Sequence, residues 1–435
     1  MKRFLYAVLA LVVIVAAGAG WFFFSPASLD QVAASSAQPS GDALIARGKY
    51  LTTAADCAAC HTAKGGQPFA GGLPFKLPFG TIYSPNITPD AETGIGKWSD
   101  AEFVRAVHKG VGRNGEDLYP AFPYASYALL STDDVLAIKA YLFSLKPVAA
   151  KAPANTLQFP YDQRYAMRAW KLLFVPKAPF NPDPSKSDEA NRGFYLAEAL
   201  AHCGECHTPR NVMFGLDDNK KFSGALIEGW KAYNITVDKD SGIGAWSDQD
   251  LAQFLSTGHA KGRGAAAGGM AEAIDLSLRH LTPEDIKAMV AYLRTIAPIA
   301  TDSAAKVDPN PATLAAASSY APSPEEVKTA GLGLQIFQSA CASCHGWDGE
   351  GHQTPYAALR GSQTVSDPSG TNLVNVILSG ATITTDKGAM FMPSFGKAYT
   401  NTEIAAVSNY VIGHFGGKTG TVSEAQISAS RANED

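Results

Sequence analysis

Cys57-Ala58-Ala59-Cys60-His61 returns twice along the chain, as Cys203-Gly204-Glu205-Cys206-His207 and Cys341-Ala342-Ser343-Cys344-His345. Cys-x-x-Cys-His is the attachment signature of a c-type haem. Two thiols three positions apart share one helical turn and can add across the two vinyl groups of a porphyrin. The adjoining histidine then ligates the iron from the proximal side. The three motifs use up all 6 cysteines, so no thiol is left for a disulfide or a reactive nucleophile. Zinc also takes Cys-x-x-Cys pairs, but a zinc ribbon needs pairs of pairs, and these lie far apart without matching partners. The expectation is three covalently bound haem c groups, held by Cys57, Cys60, Cys203, Cys206, Cys341 and Cys344, with His61, His207 and His345 as axial ligands.

A chain of 435 residues suits about three domains, on the usual length of roughly 100–200 residues each. A hydrophobic share of 46% and a charged share of 17% are those of an ordinary globular protein. The net charge of -4 argues against nucleic acid as a partner.

The N-terminus departs from this average. Met1-Lys2-Arg3 precedes an uncharged apolar run from Phe4 to Phe24, ending in Gly20-Trp21-Phe22-Phe23-Phe24. As a helix rising 1.5 Å per residue it reaches roughly 30 Å, the thickness of a bilayer's hydrocarbon core. The basic start belongs on the cytoplasmic side and the aromatic cluster at the far interface. Residues 1–26 are read as an uncleaved membrane anchor, the alternative being a signal sequence with a weak small-residue site near Ser35-Ser36-Ala37. Either reading exports the rest of the chain, to the periplasmic face of a bacterial inner membrane.

Pattern and punctuation divide the remainder. Residues 42–150 form a first cytochrome c-like domain, in which 65–89 reads as loop and helices start at Ser99-Asp100-Ala101-Glu102 and Ser131-Thr132-Asp133-Asp134. Residues 151–190 form a linker with one amphipathic segment, Tyr161 to Phe174, whose Trp170, Leu172, Leu173 and Phe174 are expected to pack on neighbours. A second domain spans 191–297, a Pro/Ala connector 298–324 and a third domain 325–416. The polar tail 417–435 is expected to be disordered. The fold class is mainly α: three cytochrome c-like domains in tandem behind an N-terminal transmembrane helix.

The first two domains are copies. Asn86-Ile87-Thr88 recurs as Asn234-Ile235-Thr236, and Gly94-Ile95-Gly96-Lys97-Trp98-Ser99-Asp100 as Gly242-Ile243-Gly244-Ala245-Trp246-Ser247-Asp248, at one ungapped offset. Asn-Ile-Thr is also a glycosylation sequon, but its repetition points to a shared turn or a propionate contact. Methionine sulfur commonly fills the iron's other face. Met270, in a Gly-rich loop, and Met392, ahead of the final helix, are the expected sixth ligands, with Met390 as competitor. The slot equivalent to Met270 in the first domain is Phe122, which cannot ligate iron. His108, on the helix after Trp98, is the expected substitute, giving the first haem two histidines; Met167 is a remoter candidate.

These motifs, with Leu118-Tyr119-Pro120-Ala121-Phe122-Pro123-Tyr124 and the anchor, resemble the triheme cytochrome c subunits of membrane-bound bacterial dehydrogenases for alcohol, aldehyde, gluconate, sorbitol or fructose. The resemblance implies an electron-transfer subunit that relays electrons from a separate catalytic subunit to ubiquinone. Phe122, the preceding histidine and His259-Ala260-Lys261-Gly262-Arg263-Gly264-Ala265-Ala266-Ala267 are similar to the aldehyde dehydrogenase or isoquinoline oxidoreductase subgroup, implying a partner with molybdopterin and iron–sulfur subunits. No catalytic base, nucleophile or dinucleotide-binding glycine loop stands out elsewhere. Two other readings are a peroxidase-type haem enzyme using an open first haem, and a stand-alone anchored cytochrome feeding a terminal oxidase.

Overall fold

The computed structural model describes residues 1–26, 28–301 and 331–434. These form two compact units, one of Met1–Pro182 with Glu198–His202, the other of Asp183–Ala197 with the described residues from Cys203 on. Among the described residues both are mainly helical, and every sheet is a two-stranded antiparallel hairpin. The connector expected at 298–324 lies outside the described residues from 302 on, as do the first residues of the third domain.

In the first unit α1 (Lys2–Phe24) is apolar from Phe4 on and has no buried residue. Behind it come α2 (Gly41–Ala54), α3 (Cys57–His61), the hairpin β1 (Pro74–Leu77) and β2 (Gly80–Tyr83), α4 (Asp100–Lys109), α5 (Tyr124–Tyr127), α6 (Thr132–Ser144) and α7 (Ala166–Phe174). Sequence explains the helix starts. Ser99 and Glu102 make a capping box on α4, and the Ser131 hydroxyl accepts from Asp134 N–H on α6. Helices α2 and α6 cross at Gly48, where an added Cβ would lie 1.9 Å from the Ala137 carbonyl oxygen and 2.9 Å from Tyr141 Cβ. No residue but glycine lets two backbones come that close.

The second unit holds that crossing twice. Its elements are α8 (Asp188–Phe194), α9 (Gly204–His207), β3 (Ala225–Ile227), β4 (Trp230–Ala232), α10 (Asp248–Thr257), β5 (His259–Ala260), β6 (Gly264–Ala265), α11 (Gly268–Leu276) and α12 (Pro283–Leu293). They continue with α13 (Leu332–Ile336), α14 (Ala342–His345), α15 (Gln363–Ser366), α16 (Thr371–Ser379), β7 (Ala381–Thr385), β8 (Gly388–Met392), α17 (Asn401–Gly416) and α18 (Glu424–Glu434). A Cβ on Gly193 of α8 would fall 1.8 Å from the Ala288 oxygen and 2.7 Å from Tyr292 Cβ on α12. One on Gly333 of α13 would fall 2.4 Å from the Ala406 oxygen and 2.7 Å from Tyr410 Cβ on α17. Each motif thus follows a helix that is crossed by the last helix of its repeat, glycine against alanine carbonyl and tyrosine. The later two repeats also meet directly. Lys231 Nζ lies 2.8 Å from Asp367, Asn372 pairs with both backbone groups of Lys231, and Asp275 accepts from Thr384 N–H at 3.0 Å.

The repeated asparagine is a structural turn. Asn86 and Asn234 are each 2% exposed, so neither is open to a glycan. Asn86 Nδ2 donates to the Val148 carbonyl at 2.7 Å and Thr93 Oγ1 at 3.1 Å, while its Oδ1 accepts from Thr88 N–H at 2.9 Å. Asn234 repeats the set with Ile299 at 2.7 Å, Ser241 at 3.1 Å and Thr236 at 2.8 Å. The amide ties a loop to the chain leaving the last helix. Asn86→Ala strands these partners and is expected to cost about 1–3 kcal/mol. Urea unfolding followed by haem absorbance measures it; an unshifted midpoint would mean the bonds contribute nothing.

Three expectations are corrected. The 65–89 loop contains the β1–β2 hairpin, extended by Thr156 and Gln158 N–H groups donating to Thr81 and Phe79 carbonyls at 2.9 Å. The 417–435 tail is not disordered where described: it forms α18, because Val422 and Ile427 are buried among α16 and α17 side chains, Ile427 at 0% exposure. Polar composition hid those two anchors. In the linker Trp170 packs as expected, but Leu172 and Leu173 stay 62% and 64% exposed.

Candidate functional site

In each repeat a short helical turn carries the histidine and the second thiol, with the first thiol in its opening position or at its N-cap. In the second and third, a widened π turn, Tyr195–Leu200 or Phe337–Cys341, leads into it. The two cysteines of each motif stand three positions apart. Burial pushes the Cys57 thiol up to about 12, helped by the Asp56 carboxylate, and the Cys341 thiol up to about 11.

The histidines share one arrangement. Nδ1–H of His61 donates to the Pro85 carbonyl at 2.8 Å, that of His207 to Tyr233 at 2.6 Å and that of His345 to Ala357 at 2.6 Å. This fixes the tautomer and leaves the Nε2 lone pair for a ligand. Burial holds all three rings below the ordinary histidine range, with the carbonyl bond opposing, so they stay neutral. Pro85 and Tyr233 immediately precede Asn86 and Asn234. In the first two repeats the asparagine turn is therefore what presents the carbonyl that orients the ring.

His108 lies on α4, the helix where it is expected, in the last turn. Its Nε2 is buried with no hydrogen-bond partner, while a backbone bond to Leu130 opposes the lowering that burial causes. A buried nitrogen without a partner is costly unless something absent from the polypeptide satisfies it. Phe122 lies against Tyr124 and Tyr127, ring centroids 6.2 and 5.5 Å apart, and Tyr127 Oη donates to the Ala55 carbonyl at 2.8 Å just before the first motif. Met270 opens helix α11, a correction to its expected loop position. Met392 closes β8 and packs on the same core cluster as Cys341, Ala342 and Trp347, which Met390 does not. The loop after it is held by Arg431 of α18, which donates to the Tyr399 carbonyl at 2.8 Å and to that of Gly396. Met167 sits in α7.

The donor set fits iron porphyrin. Among the described residues no three His, Cys, Asp or Glu side chains converge to hold a bare metal ion, which a zinc site requires. Each repeat instead offers two thiols on one turn, one oriented histidine and buried aromatic surface, the parts that attach and ligate a haem.

Comparison with known proteins agrees. The family model for cytochrome c matches residues 45–146 and 330–413. The chain is 41% identical to the fructose dehydrogenase cytochrome subunit of Gluconobacter japonicus, over 89% of this chain and 82% of that protein. It is 38% identical to the gluconate 2-dehydrogenase cytochrome c subunit of Pantoea cypripedii, over 91% of each. To the cytochrome c subunit of alcohol dehydrogenase (quinone) from Gluconobacter oxydans it is 35% identical, over 95% of this chain and 87% of that one.

Proposed function

Because the chain belongs to the family of cytochrome c subunits of dehydrogenases and binds haem c covalently, we propose that it carries three such haems and relays electrons from a catalytic subunit to ubiquinone. The observation that carries this is the threefold arrangement of thiol pair, histidine and anchoring carbonyl, built around the same glycine crossing each time. The bound haem supplies one-electron Fe(III)/Fe(II) chemistry. The polypeptide's part is to hold the iron's surroundings still. Cys57 with Cys60, Cys203 with Cys206, and Cys341 with Cys344 would hold the haems covalently, and His61, His207 and His345 would ligate the iron. Met270, Met392 and His108 would supply the further ligands.

Helix α1 anchors the chain, placing its body at the periplasmic face, where an acceptor dissolved in the bilayer is within reach. Phe122 with His108 favours a catalytic partner of molybdopterin and iron–sulfur type. The electron-transfer role is tested by purification from detergent-solubilised membranes. A catalytic polypeptide is expected to travel with the chain, and its substrate to reduce the haems. A chain that purifies alone and turns over peroxide or reduces a terminal oxidase would overturn it.

A further inference from the structure

Helix α7 is amphipathic in an inverted sense. Its two cations turn inward: Lys171 Nζ lies 2.5 Å and Arg168 Nε 3.5 Å from the buried Asp117 carboxylate. Trp170 is packed inward with them, but Tyr165 at the helix start and Leu172 and Leu173 turn outward and are exposed. The exposed surface is joined to the end of α1. Arg168 donates to the carbonyls of Phe22 and Ser25 at 2.8 Å, capping the last turn of the apolar helix, and Tyr165 meets the rings of Phe23 and Phe24 at 5.9 and 5.5 Å. An apolar face continuous with the end of a membrane helix lies at the depth of the lipid interface.

Beside it opens a cavity of about 540 Å³, lined by Phe23, Phe24 and Ser25 from the end of α1 and by Arg105, Arg113, Arg164 and Arg168. Two carboxylates also line it, Glu116 and Asp117. Asp117 is taken by Lys171 and Arg168, and Arg113 lies 3.5 Å from Glu102. Arg164 Nη1 donates to the Asp117 carbonyl at 3.1 Å. Counting these groups, the cations exceed the carboxylates. Arg105 is only 8% exposed, and although one Nη donates to the Gly112 and Arg113 carbonyls, its Nε has no partner. As a buried guanidinium at the cavity wall, Arg105 adds its charge to that excess of cations.

We propose that this cavity seats the headgroup of an anionic phospholipid, and that α7 lies in the interface beside it, giving the first unit a second hold on the bilayer. This rests on the reading of α1 as a retained anchor. The lipid's phosphate meets Arg105, Arg113 and Arg164, and its chains run along Leu172, Leu173 and α1. The full-length holoprotein tests it in phosphatidylcholine nanodiscs with and without phosphatidylglycerol. A nitroxide attached through Leu173→Cys is expected to be open to oxygen and shielded from a polar nickel relaxer. After detergent extraction, native mass spectrometry is expected to find phosphatidylglycerol retained in preference to phosphatidylcholine. Arg113→Gln and Arg164→Gln, both at the cavity rim, are each expected to weaken that retention about fivefold. The same spectrum reports the intact mass: a chain lacking α1 overturns the proposal together with the anchor. A chain that keeps α1 but leaves the label open to nickel, or retains both lipids equally, or retains a quinone in place of lipid, overturns the proposal alone.

Discussion

Cys203→Ala combined with Cys206→Ala is expected to lower the haem content from three equivalents per chain to two, read as pyridine haemochrome against protein. Both thiols must go, because either alone still tethers the ring while His207, held by the Tyr233 carbonyl, supports the iron. Substrate-driven quinone reduction in the assembled complex is expected to fail in step. The first and third haems keep their own attachment turns, so their absorbance should persist. The opposite result, three equivalents in the double variant, would mean that the second motif carries no haem.

His108→Ala tests the least conventional assignment. With Nε2 gone, the first iron keeps only His61, and a high-spin ferric signal from one haem in three is expected by EPR. Imidazole added to the variant should convert that signal back to low spin, an effect that a merely packed surface histidine would not show. A low-spin spectrum unchanged by the substitution would remove His108 from the iron. Phe122→Met in the same background is expected to restore six-coordination with sulfur and raise the first haem's potential, since thioether stabilises Fe(II) better than imidazole does.

How much of this was legible beforehand follows from how local each feature is. Attachment needs two thiols and a histidine within one turn, so spacing alone exposes it. His108 is proposed by subtraction: the repeat puts Phe122 where sulfur is expected, and α4 is the element that can answer. The asparagine turn was visible as a repeat, but its task was not, because the partners Val148 and Ile299 lie some sixty residues on, past the last helix. The glycine crossing was missed altogether. Gly48, Gly193 and Gly333 precede their motifs at unequal intervals, and the π turns Tyr195–Leu200 and Phe337–Cys341 change the count between crossing and thiol. A lone glycine in a helical pattern reads as a weak spot, when here it is the point of closest approach. The direction of α7 was hidden for a related reason. Composition shows that a helix has two faces, but only Asp117, far off in sequence, decides that the cations take the inner one.

The backbone contact at Gly48, Gly193 and Gly333 bears on how such chains grow. Where opening and closing helices touch, the polypeptide enters and exits at neighbouring points, like a bead whose string passes through one knot. Another bead can then be threaded in by gene duplication without disturbing the bends of those already present. Conductor length becomes a matter of copy number. Only the residues joining adjacent beads, such as Lys231 with Asp367, need be reinvented when the number changes.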